Sequence, residues 1–144
     1  MRKSPLRRKS KTPVAKLKRE IQSLLREIVI ARDGGCVLRA FSEAGECGGY
    51  RNDGELILQA EHLNTRERNI SYGDSRNIVC LCMRHHFYFK KQHSRLYWEL
   101  IEKVIGQERW KWLKRVEADR KSYAMGEYEW SKIKLFLIEE LKKL

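Results

Sequence analysis

The sequence predicts an α+β fold: two short strands followed by a helix, flanked by an N-terminal helix and by C-terminal helices. Three observations lead there. Apolar residues recur at helical spacing over about 13–32 and again through the last third of the chain. Two short apolar runs, 55–62 and 77–82, precede another helical stretch that begins near Arg84. Of four cysteines, Cys36 and Cys47 precede those runs and Cys80 and Cys82 lie in the second. With no secretory signal in the first twenty residues a reducing, cytoplasmic setting is expected, where metal binding is more natural than disulfides.

Each element has its own signal. Thr12-Pro13 is a helix start, with Thr as cap and Pro at the first helical position. Val14, Leu17, Ile21, Leu24, Leu25 and Ile28 then form one face, and Asp33-Gly34-Gly35 ends the helix. Residues 36–54 are irregular and close on the turn signal Asn52-Asp53-Gly54. A first strand is expected over 55–62, a polar loop over 63–76 and a second strand over 77–82. The next helix carries Phe89, His93, Leu96, Tyr97, Leu100, Ile101 and Val104 on one side, with Gly106 as its stop. Two more helices, about 107–121 and 127–143, place Trp110, Leu113 and Val116, then Trp130, Ile133 and Leu137, on single faces. At 144 residues one domain over 13–144 is expected, with 107–144 as a helical extension.

The net charge of +12 is unevenly spread. Residues 1–19 hold nine Lys or Arg and no Asp or Glu, whereas the other 125 residues hold 22 basic and 19 acidic side chains. Residues 1–12 therefore read as a disordered basic arm, the kind that binds polyanions by releasing counterions. A solvated tail and an organelle transit peptide have similar compositions, so those readings stay open. No apolar stretch is long enough to span a bilayer, and no apolar face accompanies residues 1–11 as a membrane surface would require.

Glu61-His62, Asn77 and His85-His86 stand at separations that matter. The first pair ends one strand, Asn77 opens the next, and His86 lies in the first turn of the helix. Packing two strands on that helix gathers the three. A phosphodiester cutter needs such a set: a neutral imidazole to take a proton from water, donors for a divalent cation, and a hydrogen bond to aim the imidazole.

In this constellation the chain resembles the HNH, or ββα-metal, nuclease family. The resemblance implies a ββα-metal core with His62 as general base and Asn77 bracing the loop that orients it. It implies Glu61 and His86 as ligands of a catalytic Mg²⁺ or Mn²⁺, and 5′-phosphate and 3′-hydroxyl ends. His93, seven residues after His86, is a further ligand candidate or else a core histidine. Many members also carry a structural zinc site, which here implies Cys36, Cys47, Cys82 and His85. Cys80 in place of Cys82 is the alternative, and the Cys36–Cys47 spacing is wider than usual for a zinc knuckle.

A narrower resemblance, to phage NinG (Rap) recombination nucleases, rests on that core and on the run from Tyr97 to Glu108. The chain departs from that pattern at His85, where a cysteine is expected, and at His86, where an asparagine is expected. The resemblance implies DNA as partner, branched DNA included, in a prokaryotic or phage-infected cell. Arg7 and Arg8 in the arm and Arg66, Arg68 and Arg76 in the loop are the expected DNA contacts. Neither a membrane nor a small-molecule substrate is expected, and a homodimer is left open. Two rival readings remain: a non-catalytic zinc module that binds DNA or tethers a recombination partner, and an accessory protein of a phage packaging or replication complex. The aromatics Trp110, Trp112, Tyr123, Tyr128 and Trp130 suit core packing or base stacking.

Overall fold

The computed structural model describes residues 12–64, 69–119 and 123–144. Helix α1 spans Pro13–Asp33. Its start is fixed by the Thr12 side chain, which accepts from the Ala15 N–H at 3.2 Å. Its end is fixed by Gly34, whose φ of 67° lies in the left-handed region that favours glycine and whose N–H reaches the Ile30 carbonyl at 3.0 Å. Strands β1 (Leu58–His62) and β2 (Ile78–Cys82) pair antiparallel, with Leu58 opposite Cys82 and His62 opposite Ile78.

The first strand begins three residues later than its apolar run. The Asn52-Asp53-Gly54 turn folds the chain back so that Leu56 bridges to Tyr50, while Asp53 accepts from the Glu55 N–H at 2.9 Å. The segment read as a plain loop contains a helical turn, α2 (Asn69–Tyr72), and a 3₁₀ turn at Ser75–Asn77.

Every residue of β2 is buried. Alternation sends Ile78 and Cys80 to one face and Val79 and Leu81 to the other. The first face meets Ile21, Leu25, Ile28 and Val29 of α1, with Trp130 and Leu137 of α6 (Glu127–Lys142) beyond. The second face meets Leu38, Phe89, Tyr97, Leu100, Ile101 and Leu113. Those residues come from the cysteine-bearing loop and from the segments after β2. Two cores thus share one strand, and β2 is the fixed reference from which both candidate centres are held.

The helix expected to run unbroken from Arg84 is divided. Its first six residues, Arg84–Phe89, form a π-helical turn that runs into α3 (Lys90–Gln92). The backbone breaks at His93, with φ −130° and ψ 51°, and resumes as α4 (Ser94–Ile105) and α5 (Gln107–Ala118). No proline or glycine signals this break. Wide turns of this kind shift the phase of a helix and are a recognised cause of kinks. Of the aromatics, Trp130 is buried in the core, whereas Tyr128 is 68% exposed.

Candidate metal centres

Cys36, Cys47, Cys82 and His85 offer four ligand atoms that all lie within 4.8 Å of one another. Three chain segments deliver them. Cys36 follows the α1 cap, where the Val37 N–H bonds the Cys80 carbonyl at 2.9 Å. Cys47 comes from the glycine-rich loop, held by the Arg84 N–H to Gly48 carbonyl bond at 3.2 Å. Cys82 and His85 come from the end of β2 and the π-helical turn. The ten intervening residues between Cys36 and Cys47 are taken up by a 3₁₀ turn at Ser42–Ala44.

The imidazole of His85 is set for ligation. Its Nε2 lies 3.0 Å from the Ala44 carbonyl and 3.1 Å from that of Gly45. Carbonyls only accept, so Nε2 carries the proton and Nδ1 presents its lone pair. Nδ1 faces Cys36, Cys82 and Cys47 sulfurs at 3.2, 3.3 and 3.9 Å. A tetrahedral zinc with ordinary bond lengths would set such edges near about 3.6 Å. The four residues could therefore hold a metal such as zinc.

The charges agree. A hydrogen bond from Cys36, with help from His85, holds the Cys82 thiol down at about 3 despite burial. The same contact with Cys82, and burial, push Cys36 far up. Burial raises Cys47 as well. His85 is raised by its bond to Cys82, against burial. Three thiols this close cannot all ionise unless a cation joins them.

Cys80 does not enter this group. It packs against α1 with Ile21, Leu25 and Ile28, its backbone N–H donating to the Asp33 carboxylate at 3.0 Å. Cys82, where the strand ends and the π-helical turn begins, lies instead in the other core with Cys36 and Phe89. That settles which of the two β2 cysteines can serve.

The second centre lies across β1. Glu61 and His86 are brought together, with Glu61 Oε2 against His86 Nε2. Lys90 Nζ meets the other carboxylate oxygen at 2.6 Å. Burial raises the Glu61 pKa, but His86 and Lys90 together outweigh it and hold the carboxyl below its ordinary range. The Gln59 side-chain oxygen meets His86 Nδ1. Two acceptors in contact repel, so His86 Nε2 either donates a proton to the Glu61 carboxylate or would share a cation with it, while Gln59 supports the ring from the Nδ1 side.

Gln59 and Lys90 were missed in the sequence, though both had a signal. Gln59 shares a strand face with Glu61 at i−2, and Lys90 is one helical turn after His86.

His62 ends β1 and is 8% exposed. Its Nε2 is 3.1 Å from the Tyr72 carbonyl, and the two rings lie 5.2 Å apart. Nε2 therefore donates, and Nδ1 of the neutral ring bears the lone pair. Pleating directs Glu61 and His62 to opposite faces of the strand, so a phosphate touching both would sit off its end.

Asn77 is fully buried. Its Oδ1 accepts from the Asn64 N–H at 2.6 Å, and its Nδ2 donates to the Ser71 carbonyl at 3.1 Å. It ties both ends of the loop after β1.

His93 does not join Glu61 and His86. It is exposed at the helix break, its ring 5.7 Å from Phe89. The cysteine cluster is the one group of three or more candidate ligands among the described residues. The break at His93 removes the continuous helical face on which that expectation rested.

Arg76 is half-exposed, but Asp74 neutralises it through contacts of 3.0 and 2.7 Å, and Trp112 lies under it at 3.8 Å. Contact with a phosphate would compete with that pair. Arg7, Arg8, Arg66 and Arg68 lie outside the described residues. No helix among the described residues is long and apolar enough to cross a membrane. No family model, curated protein or solved structure matches the chain.

Proposed function

We propose that this protein is a metal-dependent DNA endonuclease of the HNH type, with the cysteine cluster as a structural zinc site. The observation that carries the reading is the Gln59–His86–Glu61 chain beside His62. It sets an imidazole nitrogen against a carboxylate oxygen, a pair that could share a divalent cation, next in sequence to a second imidazole whose Nε2 is tied to the Tyr72 carbonyl.

Glu61 and His86 would hold a divalent cation, which supplies Lewis-acid stabilisation of charge on the phosphate when bound. The protein's own part is positional and acid–base. Tyr72 fixes His62 by accepting from Nε2, and the buried Nδ1 would be the atom that takes a proton from water once substrate opens the site. As that proton leaves, the water oxygen bonds phosphorus and the bond to the 3′ oxygen breaks. Solvent protonates the departing oxygen. Asn77 keeps the loop beyond His62 in one shape. Lys90 lowers the charge on Glu61 and so moderates cation affinity. Zinc held by Cys36, Cys47, Cys82 and His85 would be there to hold the fold, with no part in cleavage.

A second reading has one specific support. Lys90 occupies a Glu61 oxygen, as in a purely structural ion-pair network, which would suit a non-catalytic zinc module that binds DNA. Cleavage separates the two. Supercoiled, linear and branched DNA are incubated with purified protein and Mg²⁺ or Mn²⁺. The nuclease reading expects nicked or linear product, with His62→Ala slower by ~10²–10⁴-fold at unchanged zinc content. Cutting at the wild-type rate by His62→Ala would remove the base assignment, and no cutting with any divalent ion would favour the binding module.

A further inference from the structure

Between α1 and the strand–helix unit lies a cleft of about 700 Å³. One wall is α1, which presents Arg19, Ser23 and Arg26 at helical spacing. The other wall is His86 and Phe87, and the floor is Gln59 and Ala60. No carboxylate lines the cleft. Glu20, the acidic neighbour on α1, is turned away to Lys134 on α6 at 2.6 Å. The floor residues immediately precede Glu61-His62, so the cleft leads to the end of β1.

We infer that this cleft binds one unpaired strand of nucleic acid, with Arg19 and Arg26 on its phosphates and Phe87 under a base. The inference deepens the nuclease reading and rests on it for the strand's destination. Three features carry it. The space matches a small-molecule site and admits a short stretch of one strand, not a duplex. The arginines lie seven residues apart, about 10 Å along the helix, and set positive charge along one wall only. Phe87 is 49% exposed beside His86, with ring centroids 4.3 Å apart. An aromatic face opposite cations is how single strands are held irrespective of sequence, through stacking and counterion release. Paired bases keep their faces inside the duplex, so Phe87 can be used only by an unpaired one.

The test is fluorescence anisotropy on the full, zinc-loaded chain, with neither added divalent ion nor chelator. The probes are a labelled single-stranded oligonucleotide and the blunt duplex of the same length. Tighter binding of the single strand is expected. Phe87→Ala should weaken it by about 10-fold with the duplex unchanged, and Phe87→Trp should retain it. Arg19→Gln/Arg26→Gln should lower the salt slope of single-strand binding by about 1.4. Metal content and circular dichroism confirm that each variant is folded. Single-strand affinity unmoved by Phe87→Ala, or a salt slope unmoved by the double substitution, would overturn the inference. Since no cutting is read, a protein that passes these tests yet cleaves nothing retires the nuclease reading alone. One that cleaves but fails them retires this inference alone.

Discussion

The two centres use the same π-helical turn in opposite ways. His85 points inward to three sulfurs and is fully buried, with its second nitrogen committed to two carbonyls. His86, the next residue, meets a single carboxylate and lines an open cleft. The first centre offers four ligands and nothing to a substrate; the second offers two and leaves room. On the proposed reading this would be the contrast between a closed structural metal site and an open reactive one, within two adjacent residues. Tyr97 lies between them in electrostatic reach of both. Burial raises its hydroxyl's pKa, and the charges of Glu61 and Cys36 raise it further.

The contrast breaks most visibly at the closed centre. Cys82→Ser should remove the metal and destabilise the fold by about 3 kcal/mol or more, read as metal content and denaturant midpoint. If the variant keeps its metal and its midpoint, the cluster is not a structural site.

Asn77→Ala should act on the scaffold of the open centre instead. It leaves the buried Asn64 N–H and Ser71 carbonyl without their partner, an expected loss of about 2–4 kcal/mol. Zinc content should not change. Denaturation and metal analysis of the same samples give both answers.

A finer test reads protons. In the metal-free cluster Cys82 is already a thiolate at pH 7, whereas Cys36 and Cys47, both raised, keep their protons. Zinc binding requires thiolates, so it should release about two protons at pH 7. Because His85 is also raised and must be neutral to bind, any proton it holds adds to that number. The sign follows: as pH falls, protons compete and metal retention weakens. Calorimetry in buffers of different ionisation enthalpy measures the release, and none at all would contradict the ligand set.

Much of this arrangement was legible in the residues. Thr12-Pro13 and Gly34 bracket α1 because caps are local chemistry. Glu61 and His86 meet because two strands and a following turn leave few ways to join them, while Asn77 packs at the end of β1 against Leu63 and Asn64. What escaped depends on tertiary packing. The break at His93 has no local breaker and lies one short helix beyond the wide turn, Arg84–Phe89, that opens this segment. Arg76 reads as a loop cation until Trp112 and Asp74 are found beneath and beside it. Arg19 and Arg26 carry no signal in the sequence, because only the folded chain sets His86 and Phe87 opposite them.

Whether the Glu61–His86 centre takes a metal of its own decides between a nuclease and a binding module. Electron paramagnetic resonance of Mn²⁺ titrated into the zinc-loaded protein measures this directly. The expected result is one bound Mn²⁺ per chain, lost in His86→Ala while zinc stays in place. Free Mn²⁺ signal at every ratio, or binding that survives His86→Ala, would contradict it.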